Sequence, residues 1–204
     1  RGPRIRLEAE LIRDAALRTS GLLAPRIGGP SVYPPQPAGI TSEGVYGRVN
    51  WKASTGADRY RRGLYTFSKR TAPFAMFATF DAPSGETCVA RREVSNTPLQ
   101  ALTLLNDVVY VEAAQALGRM MTERKGSLDD RLTYLFRRCL TRSPEANELK
   151  LLSQYFREQQ QRFRKGDLEA GKLAGGGKGD AAKRAAWTVL ARSLLNLDEF
   201  ITKN

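Results

Sequence analysis

No histidine occurs anywhere in the 204 residues. That absence removes Ser-His and Cys-His nucleophile pairs, the commonest metal ligand and an axial histidine for haem. Cysteine is nearly as scarce. Cys88 and Cys139 are the only two, too few for a zinc site alone and too far apart for a CxxC pair. No apolar run approaches the roughly 20 residues that span a bilayer, and no stretch has the pattern of a secretion signal. The chain has no initiating methionine and opens in a helical pattern, so it reads as a piece of a longer protein. The missing signal therefore says nothing about location.

Acidic residues are in deficit, 21 against 33 basic ones, for a net charge of +12, and arginine supplies 24 of the 33. Such a field favours polyanions: nucleic acid, acidic polysaccharide or an anionic membrane surface. An arginine-rich coding bias, or acidic partners lost with a missing half, would leave the same count. The apolar fraction of 41% is that of an ordinary globular protein. A chain of this length can bury roughly 70% of its unfolded surface.

The pattern predicts a mainly α fold of five to six helices, with a long Pro/Gly-rich loop and at most a short hairpin. Residues 5–23 read as an amphipathic helix, with Leu7, Leu11, Ile12, Ala15, Ala16, Leu22 and Leu23 on one half of the wheel. Arg6, Glu10, Arg13 and Asp14 lie on the other half. From Pro25 to about Ala57 the chain turns irregular, and "GGPSVYPPQPAG" excludes helix. "GVYGRVNW" alternates well enough for a short strand, and Tyr33, Tyr46 and Trp51 give the loop aromatic weight to hold it to the body.

In the second half, Thr97-Pro98-Leu99-Gln100 is a capping box with proline at the first helical position. Asn106-Asp107 restarts a helix at an angle. Ser127 with Asp130 caps the next, whose stripe is Leu128, Leu132, Leu135, Phe136, Cys139 and Leu140. Ser143-Pro144 opens another. Residues 165–180, "KGDLEAGKLAGGGKGD", read as a flexible glycine-rich linker, since the run lacks the GxxxxGK[ST] spacing of a phosphate loop. The expected organisation is a helical domain over 1–164 with an irregular insertion at 25–80, the linker, and a C-terminal helix over 181–204. Trp187, Leu190, Leu194 and Leu197 would dock that helix on the domain.

Three groups of residues can carry chemistry. Arg59, Arg61, Arg62, Lys69 and Arg70 interleave with Tyr60, Tyr65 and Phe67. That composition can bind single strands or sugars by stacking plus charge. It equally fits a buried element with its arginines facing out. Cys88 lies just ahead of Arg91 and Arg92, which can lower a thiol pKa. With no base nearby and Cys139 on an apolar stripe, both cysteines read as structural, and a disulfide between them has no support from spacing. Glu8 falls inside the apolar arc of the first helix. An ionised group there needs a cation. Arg91 or Arg92 would supply it better than Arg4, forming a structural ion pair that ties the helix to the central motif.

Five stretches, "RLEAELIRDAAL", "GGPSVYPPQP", "YRRGLYTFSKRTAP", "ATFDAPSGETCVARREVSNTPLQALTLLND" and "LLNLDEF", together resemble the planctomycete domain of unknown function 1553. The match covers essentially the whole chain, which would correspond to the C-terminal part of that domain only. The resemblance implies a C-terminal domain of large exported proteins, an extracytoplasmic setting, and cytochrome-c-type haem modules elsewhere in the parent. It supplies no catalytic residues, and this chain has no CxxCH, so no cofactor is expected in the chain itself. The reading that follows is an accessory domain that docks on other domains of its parent or holds an acidic polysaccharide or protein. One rival is an enzyme acting on polysaccharide with carboxylates such as Glu8, Asp14 or Asp81. The other is a basic polyanion binder, with nucleic acid the less favoured ligand.

Overall fold

The computed structural model describes residues 4–37, 39, 51–177 and 179–203. Among these the fold is mainly α. Six longer helices, α1 (Ala9–Ser20), α3 (Pro98–Asn106), α4 (Val108–Glu123), α5 (Leu128–Leu140), α6 (Ala146–Lys165) and α8 (Ala181–Leu195), make the body. Three helices of four or five residues, α2 (Ala75–Thr79), α7 (Ala170–Ala174) and α9 (Asp198–Ile201), fill in around them. The described strands, β1 (Ile5–Arg6) and β2 (Thr202–Lys203), form one antiparallel pair.

Polar residues at the helix ends set most boundaries. The Asp107 N–H donates to the Thr103 carbonyl at 2.9 Å, which closes α3. Its side chain then accepts from the Val109 N–H at 2.9 Å, which opens α4. Ser127 and Asp130 exchange side-chain and backbone hydrogen bonds at 3.1 and 3.0 Å to start α5. The start of α6 differs from expectation. The cap is Glu145, whose N–H donates to Glu148 at 2.7 Å, and Ser143-Pro144 only leads into it.

The first helix is also shorter than its apolar pattern. Ile5 and Arg6 leave it to pair with Lys203 and Thr202, and the Leu7 N–H donates to the Ile201 carbonyl at 2.8 Å. At the other end Gly21 takes φ 79°, which glycine alone adopts freely, and the N–H groups of Leu22 and Leu23 turn back to Leu17. Leu22 and Leu23 thus lie beyond the helix. The face that α1 buries carries Ile12, Ala16 and Leu17.

The core forms around α8, which packs along α4 and is flanked by α6 and α7. Trp187 is fully buried, its ring 4.3 Å from that of Phe156 on α6. Small residues let α4 and α8 approach closely: Ala113, Ala114 and Gly118 on one, Ala185, Ala186 and Ala191 on the other. A Cβ on Gly118 would sit 3.1 Å from the Arg184 carbonyl and the Thr188 nitrogen. Each large apolar side chain buried here contributes about 1.5–3 kcal/mol. Arg192 of α8 adds a polar tie by donating to the Leu105 carbonyl at 2.6 and 3.1 Å, near the end of α3.

The glycine-rich stretch 165–180 is not continuous coil. It holds α7, whose Ala174 is buried against the core. The irregular stretch is held by backbone bridges, Ala24 to Arg61 and Val32 to Thr66. Tyr33, Trp51, Phe67 and Phe74 pack together with centroids 4.9–6.2 Å apart, Tyr33 on Phe67 and Trp51 on Phe74 stacked and the other two contacts edge-to-face. The strand expected in "GVYGRVNW", and Tyr46 with it, lies outside the described residues, apart from Trp51.

Candidate functional site

The charged edge of α1 faces a cleft of about 500 Å³. One turn of helix separates Glu10 from Asp14, so both carboxylates stand on the same side. The opposite wall comes from residues 62–68 and from α2 with the turn after it. Leu11, Phe67, Phe74 and Phe77 give the cleft an apolar floor, and Leu64, 72% exposed, stands at its mouth. Glu8, Glu10, Asp14, Arg62 and Arg92 line its rim.

Each rim carboxylate is paired. Arg92 donates to both Glu10 oxygens, at 2.7 and 3.2 Å, and lies 3.5 Å from Glu8. Burial alone would raise the pKa of Glu10, but these bonds hold it below its ordinary value. Asp14 accepts from the Gly63 N–H at 2.6 Å and pairs with Arg62 at 3.2 Å.

Glu8 itself corrects the sequence reading. Because α1 begins at Ala9, Glu8 is the residue before the helix, with its side chain 57% exposed, and not a member of a buried arc. Arg92 does reach it, but Glu10 is the closer partner. Arg91 lines a separate depression beside β1, and Arg4 pairs with Asp198.

The five basic residues of "DRYRRGLYTFSKR" are divided by the fold. Arg59 makes a two-pronged pair with Glu112 of α4 at 3.1 and 2.5 Å. Arg61 is 1% exposed; it donates to the carbonyls of Pro30 at 3.0 Å, Arg26 at 3.4 Å and Gly28, with Tyr65 stacked 3.8 Å away. Arg62 alone lines the cleft. Lys69 is half-buried and Arg70 exposed further along.

Sequence reasoning placed Arg13 on the polar half of the helix, and the structure buries it. It donates to the carbonyls of Arg61 at 2.5 Å and Arg59 at 2.9 Å, and burial lowers its pKa. A guanidinium has five donors. Its place on a helical wheel cannot distinguish water from a cage of carbonyls.

Beside the cleft, whose wall takes Ala82 and Pro83 from it, the central "TFDAP…SNTPLQ" motif forms a knot around Asp81. Asp81 adopts φ 62°, unusual for a residue with a side chain. Its carboxylate accepts from the Ser95 N–H at 2.9 Å, the Ser95 hydroxyl at 2.7 Å and Gln100 at 3.4 Å, and Arg6 lies 3.4 Å away. Gln100 is buried and also donates to the Thr79 carbonyl at 3.0 Å, while its side-chain oxygen accepts from the Thr97 N–H at 3.3 Å. Burial would raise the pKa of Asp81, and the hydrogen bonds from Ser95 and Gln100 together with the nearby charge of Arg6 outweigh it, so the group stays ionised. The motif joins β1, the end of α2 and the start of α3. Cys88 is exposed beyond it, whereas Cys139 is buried in the core, where desolvation pushes its thiol up to about 12; both are free thiols.

Among the described residues no three His, Cys, Asp or Glu side chains are placed to hold a metal ion, and no helix is long and apolar enough to cross a membrane. No curated protein and no solved structure matches the chain. The family PSD1, described as a protein of unknown function (DUF1553), matches residues 1–156. That span is well over half of the chain and includes the cleft, the Asp81 knot and the helices from α1 to α5. The chain therefore belongs to the DUF1553 family.

Proposed function

We propose that this chain is a non-catalytic accessory domain that docks, through the cleft beside α1, on another domain of a larger exported parent whose haem groups sit in other modules. One observation carries the reading. The cleft combines an aromatic floor and an exposed Leu64 with rim carboxylates that are each paired to a guanidinium. Such a surface offers apolar contact area and fixed charge. General acid catalysis needs a carboxyl group that holds a proton near neutral pH, whereas the pKa of Glu10 is held low. The exported setting and the haem-bearing parent rest on the family resemblance of the five motifs.

The test uses the remainder of the parent polypeptide, expressed separately, and measures its affinity for this chain by calorimetry. Binding is expected, with Leu64→Glu weakening it at least tenfold and leaving the melting temperature unchanged. An absence of binding would overturn the docking role. Hydrolysis of a polysaccharide by the purified chain, lost in Glu10→Gln, would establish the enzyme reading instead.

A further inference from the structure

Away from the cleft, a concentration of positive charge lies where α4 gives way to α5, with Asp130, which feels the charge of Arg124, as its one acidic neighbour in the lining. Arg124 and Lys125 leave the end of α4, while Arg137 and Arg138 project from the last turn of α5. With Thr133 and Tyr134 they line an open depression of about 800 Å³. None of these four cations has a carboxylate within ion-pair distance among the described residues. The Asp130 Oδ2 is engaged by the N–H and hydroxyl of Ser127 at 3.0 and 2.7 Å.

Two of the guanidinium groups are held in place. The Arg124 guanidinium carbon sits over the Tyr134 ring, 3.7 Å from its centroid. Arg138 donates to the Thr19 carbonyl and to the Tyr134 hydroxyl, the latter at 3.2 Å. Ordering them in advance lowers the entropic cost of binding. The backbone adds a strained element, because Thr141 on the same wall adopts φ 63°, a conformation that β-branched residues rarely take.

We propose that this depression is an oxyanion site that takes a sulfate or phosphate ester group. Planar, preorganised guanidinium groups match the oxygen pairs of a tetrahedral anion, and the exposed Arg137 and Lys125 close the charge around it. The covered aromatic ring separates this ligand from single-stranded nucleic acid. Arg124 occupies a face of Tyr134 that would otherwise stack a base. The site is distinct from the basic stretch at 59–70 and from the docking cleft, so it stands whether or not the docking role holds.

The experiment measures affinity for dextran sulfate by calorimetry across a salt series, with inorganic sulfate, inorganic phosphate and a single-stranded oligonucleotide as competitors. Arg124→Ala/Arg137→Ala is compared with Arg162→Ala/Lys165→Ala, which removes equal charge from α6. The first pair is expected to weaken binding at least tenfold and to flatten the salt dependence by about two ions, while the second changes affinity less than twofold. Inorganic sulfate or phosphate displacing the polymer at millimolar concentration would assign a free anion as ligand and overturn the ester assignment; retention of the polymer against both inorganic anions would support an ester group. Equal losses in the two double variants, or preference for the oligonucleotide over dextran sulfate, would overturn the proposal. Should the first pair melt early, Arg137→Gln, at an exposed position, carries the same comparison.

Discussion

Arg92 grips Glu10 with two nitrogens, at 2.7 and 3.2 Å, and holds Glu8 only at 3.5 Å. The residue that ties the central motif to the first helix therefore lies within its first turn, and is not the carboxylate just before it. Glu10→Gln should lower stability by about 1–2 kcal/mol, since a partly buried guanidinium loses its charge partner. Glu8→Gln should stay within about 0.5 kcal/mol of the parent chain. Urea unfolding of the two variants side by side decides the matter, and the reverse order would restore Glu8 as the anchor.

Gly118→Ala places a methyl group against the backbone of α8, 3.1 Å from the Arg184 carbonyl. The two central helices must separate to accept it, at a cost of about 1–3 kcal/mol. Gly171→Ala is the matched control, because nothing lies within 4 Å of that position. There alanine should be neutral or stabilise α7 by up to about 1 kcal/mol. Thermal melts showing both variants alike would refute the close approach.

Acid should loosen the corner where Arg142 links Glu148 of α6 to Glu199 of α9. The bidentate bond from Arg142, at 2.7 Å to each oxygen, holds the Glu148 carboxyl down at about 2 against an ordinary 4.5. Since the folded state binds this proton less readily than the unfolded one, the contribution is fully present above about pH 4.5. It is lost as the pH falls toward 2. Glu148→Gln should lack that part of the acid sensitivity, so the stability gap between the two proteins narrows from pH 5 to pH 2.5. A gap that widens toward acid would contradict the pairing.

The two thiols should separate by reactivity. Cys88, exposed, should react with an aromatic disulfide reagent at pH 8 in the native protein. Cys139, buried and with its thiol pushed up to about 12, should react only with the rate of unfolding. Prompt modification of both in native conditions would place Cys139 at the surface.

Local signals in the sequence carried much of this fold. Asp107, Ser127 and Asp130 cap helices where their spacing says they should, because a cap needs only its own few residues. The stripe from Leu132 to Leu140 is buried as its period requires. What stayed hidden was long-range. The start of α1 depends on a strand partner at residues 202–203, and the burial of Arg13 and Arg61 depends on carbonyls from loops that no wheel includes. The cleft is assembled from α1, residues 62–84 and Arg92, so no single window of sequence displays it. The basic depression escaped for the same reason, with half of its cations leaving one helix and half ending the next.

The pairing of β1 with β2 sets an order in time. Residues 5 and 6 are synthesised before α1 to α9, yet the strand they pair with follows all nine of these described helices. Until Thr202 and Lys203 have left the ribosome, Ile5 and Arg6 have no sheet partner, and Leu7 has no Ile201 carbonyl to receive its N–H. Contacts so distant along the chain are slow to form. The N-terminal end of α1 thus stays unclosed while residues 8–201 are made, and Thr202 with Lys203 are the clasp that completes it.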